Sequence, residues 1–172
     1  ARAVADLTDL LDHDDARVRA AASASLGSIG KRAKKSAHDL NARLGDNDPA
    51  VRAAAARSLG QIDTRSDQTV SDLVRILDDE EVMVRDAASD ALTGIGKRAV
   101  PALDRALGNG DPIFLQAVVN TLGRIGPAAV PALVKTLQAD HKPEIARGYA
   151  AMALAQIADR DKDAVAALIE AL

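Results

Sequence analysis

The sequence predicts an all-α fold, an α-solenoid (α-α superhelix) of about five helix pairs behind an N-terminal half repeat. Three observations lead to it. A period of 30 to 35 residues runs through the chain, the apolar residues inside each period fall at helical spacing, and acids, prolines and glycines mark helix starts and stops. The period shows in Val18-Arg19 leading to Leu26-Gly27-Ser28-Ile29-Gly30, in Val51-Arg52 leading to Leu59-Gly60-Gln61-Ile62-Asp63, and in Val84-Arg85 leading to Leu92-Thr93-Gly94-Ile95-Gly96. Two weaker copies follow, Phe114-Leu115 to Leu122-Gly123-Arg124-Ile125-Gly126 and Ile145-Ala146-Arg147 to Leu154-Ala155-Gln156-Ile157-Ala158. Leu26, Leu59, Leu92, Leu122 and Leu154 stand 33, 33, 30 and 32 residues apart. A second series, Leu40, Leu73, Leu103, Leu133 and Leu168, runs between them at 33, 30, 30 and 35. Two interleaved series mean two elements per repeat.

Both elements are helices. Val18, Ala22, Leu26 and Ile29 lie at i, i+4, i+8 and i+11, one stripe of a 3.6-residue period. First helices begin at Asp15, Asp48 and Asp111, whose carboxylates suit the free amides of a first turn, with Pro49 and Pro112 just inside. They end at Gly30, Gly96 and Gly126, where a left-handed residue closes the turn at no side-chain cost. Second helices carry Val100, Leu103 and Leu107 or Val130, Leu133 and Leu137, entered through Pro101 and Pro131. The expected organisation is a half repeat over 1–12 and repeats over 15–45, 48–78, 81–108, 111–138 and 143–172. No helix pair of this size buries its own apolar face, so stability comes from stacking, and the Ala-rich stretches Ala20 to Ala22, Ala53 to Ala56, Ala87-Ala88 and Ala150-Ala151 allow close approach.

Composition excludes several function classes. The 172 residues are 48% hydrophobic, almost entirely Ala, Leu, Val and Ile, with one Phe, one Tyr, no Trp and no Cys. Thiol chemistry and thiolate metal sites are therefore absent. A net charge of -3 does not single out a polyanion or a membrane surface as partner, and no apolar run approaches the ~20 residues of a membrane span, so the chain is expected to be soluble, away from membranes and cytoplasmic. Nucleic-acid binding, which draws on stacking aromatics or a basic stripe, is not expected. His13, His38 and His141 are scattered over different repeats, none followed by Glu, and read as surface histidines. No nucleophile elbow, phosphate-binding glycine loop or His-x-x-x-His pair occurs. No catalytic residue, metal or cofactor is assigned, and the chain is read as non-enzymatic.

Asp48-Pro49-Ala50-Val51-Arg52-Ala53-Ala54-Ala55 followed by Leu59-Gly60-Gln61-Ile62 resembles the HEAT-repeat signature, and more narrowly the short HEAT-like repeats of the phycobilisome-lyase type. The resemblance runs from about Ala16 to Leu172, with Arg2 to Asp12 similar to the second helix of an incomplete preceding repeat. It implies an armadillo-like superhelix whose second helices line a concave side, where Asp39, Arg43, Asp72, Arg75, Asp104, Arg105 and Lys135 are the polar residues placed to meet a ligand. Because an incomplete repeat is not a natural cap, the chain is expected to belong to a larger protein. The family spans scaffolds, adaptors, chromophore lyases, a metal-dependent hydroxylase and DNA-repair glycosylases, so the resemblance speaks for fold more than function. The His-Glu iron ligands of the hydroxylase group are missing here.

The recurring Arg19, Arg52 and Arg85 read as a structural ladder to acids of the adjacent repeat, as such arrays commonly use, rather than as a ligand row. The fourth repeat breaks the ladder with Leu115. There Ile113, Phe114, Leu115, Val118 and Val119 widen the apolar face, which either packs within the repeat or faces a partner or second copy of the chain. Charge sorts by edge: loops between repeats are acidic (Asp12, Asp14, Asp15; Asp46, Asp48; Asp78 to Glu81) and turns within repeats are basic (Lys31, Arg32, Lys34, Lys35; Lys97, Arg98; Arg124). Helix dipoles account for the sorting. The Lys31–Lys35 cluster is the densest basic feature and the place for an acidic partner to dock. The resulting expectation is a protein–protein interaction scaffold or adaptor module, with a subunit of a bilin lyase as the alternative.

Overall fold

The computed structural model describes residues 2–62, 66–108 and 110–159, together with 165, 166 and 169. The second helix expected within 143–172, and Leu168 with it, lie outside the described residues. All regular structure among the described residues is helical: α1 (Arg2–Asp9), α2 (Ala16–Ile29), α3 (Ala37–Ala42), α4 (Pro49–Ile62), α5 (Asp67–Ile76), α6 (Val82–Ile95), α7 (Val100–Ala106), α8 (Pro112–Ile125), α9 (Val130–Leu137) and α10 (Glu144–Ala158). Short 3-10 segments join the members of three pairs, at Gly30–Ser36, Gly96–Ala99 and Gly126–Ala129. The chain divides into two compact units, Ala1–Ile95 and Gly96–Leu172.

Local chemistry fixes the helix ends. Asp15 accepts from Arg17 N at 2.8 Å, Asp48 from Ala50 N at 2.8 Å, and Asp111 from the N–H groups of Ile113 and Phe114, each satisfying first-turn amides without a helical partner. At the far ends, Gly30 (φ 64, ψ -138) and Gly126 (φ 75, ψ -142) leave the helix at positive φ. The expected left-handed helical residue is thus replaced by the mirror-image extended region, which lies beyond the reach of any residue with a Cβ. This sharp exit also bears on the most apolar stretch, Pro112–Leu137, which by length and composition alone would cross a membrane. Gly126 and its 3-10 turn divide it into helices of 14 and 8 residues, both shorter than the ~20 that a span requires.

In the first unit, α2 packs on α4 and α4 on α6. The small residues of these helices make the approach close. Ala53, Ala55, Ala56, Ala87 and Ala88 are fully buried, and a Cβ built on Gly60 would come within 2.8 Å of Ala91 Cα. One buried polar bond crosses the contact, from Ser58 Oγ to Ser23 O at 2.8 Å. The series of Leu26, Leu59 and Leu92, with Leu40 and Leu73 from the second helices, forms the core. In the second unit, α10 packs on α8 and α9 around Leu103, Leu107, Val118, Val119, Leu122, Leu133 and Leu154. Leu115 joins that core, only 1% exposed.

Candidate partner-binding surface

Two edges of the first unit carry opposite charge, and they differ in what already holds their side chains. On the acidic edge, Arg19 sends Nε and Nη2 to the two carboxylate oxygens of Asp46 at 2.8 and 2.6 Å, while its Nη1 donates to the carbonyls of His13 and Asp14. One repeat on, Arg52 does the same with Asp79 at 2.7 and 2.8 Å, and its Nη1 reaches the carbonyls of Asp46 and Asn47. Arg85 continues the pattern by donating Nη1 to the carbonyls of Asp79 and Glu80. Each aspartate also accepts a backbone N–H two residues on, from Asp48 and Glu81 respectively. The loops at Asp46–Asp48 and Asp79–Glu81 are therefore each gripped by the arginine before them, and their carbonyls accept from the arginine after them. Burial alone would push the Asp46 and Asp79 carboxyls up; the arginine and amide hydrogen bonds outweigh it and hold both below the ordinary carboxylate range. At the more exposed end of this edge, hydrogen bonds from the Arg17 side chain and backbone hold the Asp15 carboxyl at about 2.

The ladder ends where the sequence changes. The position matching Asp46 and Asp79 is Asn109, outside the described residues, and the arginine position becomes Leu115. The second unit has a different polar fastening: Thr136 Oγ1 donates to Asp104 Oδ1, and Lys142 Nζ bonds Asp104 Oδ2 at 2.9 Å and Thr136 Oγ1 at 2.6 Å. This cluster ties α7 to α9 and to the loop before α10. The fourth repeat's widened apolar face lies largely inside the unit. Leu115, Val118 and Val119 are buried, Phe114 is half-buried with its ring against Gly110, and Ile113 is 64% exposed. The expectation that Leu115 presents a surface is corrected accordingly: it is buried at the sequence position that carries a ladder arginine in the earlier repeats.

The basic edge has another geometry. Gly30–Ser36 is a 3-10 helix, whose three residues per turn place side chains i and i+3 directly above one another. Ala33 and Ser36 turn inward, 0% and 2% exposed. That leaves Arg32 and Lys35 in one outward column and Lys31 and Lys34 in the other, all four exposed. Among the described residues none forms an ion pair with Arg32, Lys34 or Lys35.

Each column borders a groove. The first, about 730 Å³, is lined by Ala3, Val4, Ala5, Thr8 and Asp9 of α1 with Ile29, Arg32, Lys35 and Ser36. A second, about 500 Å³, is lined by Lys34, Ala37, His38, Asn41, Ser66, Gln68 and Thr69. They are successive versions of one inter-repeat groove, since Val4, Ala5 and Thr8 stand 33 residues before Ala37, His38 and Asn41. A polar rung closes each: Thr8 Oγ1 and Ser36 Oγ lie 2.7 Å apart in the first, and Asn41 Nδ2 donates to Thr69 Oγ1 at 3.2 Å in the second.

The other residues singled out from the sequence differ in how firmly they are held. Arg43 is pinned by Leu11 O at 3.0 Å and Asp12 at 3.1 Å, and Asp104 by Thr136 and Lys142. Asp72 accepts from Asn41 and Gln68. Arg75 remains exposed, 3.7 Å from Asp72, Arg105 donates to Pro101 O one turn back, and Lys135 is exposed. Lys97 and Arg98 are exposed on the second unit. The two columns, their grooves and the Asp104 cluster were not evident from the sequence. The i+3 spacing of Ala33 and Ser36 was the available sign of the columns, in a segment read from the sequence as a turn.

The HEAT repeats family matches residues 36–119 and 70–147, and the PBS lyase HEAT-like repeat matches 146–172. No curated protein sequence matches the chain. Among solved structures, it is similar to the complex of CpcE and CpcF of phycocyanin lyase from Nostoc sp. PCC7120, at 26% identity and a TM-score of 0.60, covering 97% of this chain and 69% of that one. It is similar to an engineered protein at 25% identity and a TM-score of 0.56, covering 98% and 84%. A computationally designed armadillo repeat protein for modular peptide recognition shares the fold, at 20% identity and a TM-score of 0.51, covering 98% and 87%.

Proposed function

We propose that this chain, which belongs to the HEAT-repeat family, is a protein-interaction module that docks an acidic partner on the basic edge of its first unit. One observation carries the reading: the ladder acids of that unit are engaged by its own arginines, whereas Arg32, Lys34 and Lys35 stand exposed beside two grooves with no ion-pair partner among the described residues. Exposed cations with no ion-pair partner among the described residues are available to a partner, and oppositely charged surfaces speed encounter and fix register. The test is affinity capture with the chain and with a variant in which Lys31, Arg32, Lys34 and Lys35 are all Glu. A defined protein retained by the first and lost from the second supports the reading; equal retention dismisses this edge.

A second reading is favoured by the match of 146–172 to the PBS lyase HEAT-like repeat and by the likeness to the phycocyanin lyase complex. In it the chain is one subunit of a bilin lyase. Its test is the absorbance of the chain mixed with a bilin, alone and with its captured partner. A red-shifted band that needs the partner supports it, and an unchanged free-bilin spectrum in both mixtures counts against it.

A further inference from the structure

We infer that the first groove takes an extended peptide segment of acid–apolar–acid pattern from the partner, with its two carboxylates on the Arg32–Lys35 column and the apolar side chain between them on α1. This rests on the reading of the basic edge as the docking surface and adds the chemistry of what docks there. The two walls of the groove differ in kind. One is the 3-10 segment, offering Arg32 and Lys35, with Ile29 at its start; the other is α1, offering the methyl groups of Ala3, Val4 and Ala5. One acid, Asp9, also lines it and tempers the two cations without cancelling them.

Spacing selects the extended form. Residues three apart in a 3-10 helix are separated by about 6 Å along its axis. Alternate side chains of an extended strand are about 6.5 Å apart and lie on one side, while the residue between them points to the other. A peptide lying along the groove therefore sets residues i and i+2 against the cations and residue i+1 against α1. A stack of bases finds no platform there, since none of the lining residues is aromatic. The second groove, lined by Lys34, Ala37, His38, Asn41, Ser66, Gln68 and Thr69, offers one lysine in place of the Arg32–Lys35 pair and one alanine in place of the three apolar residues of α1, and does not share this preference.

The probe is a fluorescein-labelled peptide of about ten residues with Glu-Leu-Glu at its centre and Gly-Ser flanks, titrated to ~1 mM at low salt and followed by anisotropy. It is expected to bind, to weaken ~10-fold when the central Leu is Ser, and not to bind when both Glu are Lys. Binding is expected to vanish in Arg32→Glu/Lys35→Glu and in Ala5→Trp, which fills the groove from an exposed position, and to persist in Lys97→Glu. Circular dichroism checks that each variant keeps its helices. Equal binding of the Glu-Leu-Glu and Glu-Ser-Glu peptides, undiminished binding to the Arg32/Lys35 variant, stronger binding of a labelled single-stranded oligonucleotide, or no binding of any probe overturns the inference. If the peptides fail while captured partner is still lost on reversing the four basic residues, the docking edge stands and the peptide pattern falls; if capture survives the reversal, both fall.

Discussion

The two units use the same helix pairs and fasten them by different means. In the first, bidentate Arg–Asp pairs recur at a 33-residue interval and chain successive loops together. In the second, the ladder arginine gives way to buried Leu115, and a Lys142–Asp104–Thr136 cluster, with a Gln156-to-Asn120 hydrogen bond between α10 and α8, supplies polar connections between elements. The difference teaches that the stacking of small and branched apolar side chains is common to both, whereas loop registration is an added layer with interchangeable chemistry.

The contrast is broken most severely by forcing one unit's solution on the other. Leu115→Arg places an unpaired cation at a 1% exposed position with no ladder acid described opposite it, and is expected to destabilise the second unit by ~4 kcal/mol or more. Hydrogen exchange should report loss of protection over 112–137 before that over 49–62. Next in size is Asp79→Ala, which strands Arg52 at a pair whose side chains are 8% and 11% exposed, at a cost of about 3 kcal/mol by chemical denaturation. The double change Arg52→Leu/Asp79→Leu should cost less than this single one, because no buried charge is left alone; a larger loss would mean the pair does more than hold its own loop.

Acid sharpens the comparison without mutation. The Asp46 and Asp79 carboxyls are lowered in the folded chain, so their contribution is fully present above the ordinary Asp value near ~3.9 and is lost as pH falls through their lower folded values. The first unit should accordingly lose protection faster than the second as pH drops below ~4, and equal loss would contradict the ladder's role. The smallest effect is expected from Thr136→Val, about 1 kcal/mol, because it removes one buried hydroxyl from the Asp104 cluster while Lys142 still reaches the carboxylate.

Much of the fold was legible because it is written locally. Apolar residues at i, i+4, i+8 and i+11 from Val18, caps at Asp15, Asp48 and Asp111, and glycines at 30, 96 and 126 each depend on neighbours a turn away. The ladder was legible as a recurrence of Arg19, Arg52 and Arg85, though not its partners, since Asp46 and Asp79 lie 27 residues on from the arginines they bind. Other features were hidden for the same reason. The Asp104–Thr136–Lys142 cluster joins residues 32 and 38 positions apart, and the burial of Leu115 depends on how α8 meets its neighbours rather than on its own stripe. The cation columns were hidden because the segment reads as a turn: the 3-10 geometry of Gly30–Ser36 sets Arg32 directly above Lys35, where an α-helix would leave them about 60° apart on one face.

The most direct test of the account is hydrogen exchange of the chain with and without its captured acidic partner. Docking at the basic edge predicts slowed exchange over 2–9 and 30–41, with the acidic loops at 46–48 and 78–81 and the whole of 112–158 unchanged. Protection appearing instead at the acidic loops or over 112–158, with 30–41 unaffected, would contradict it.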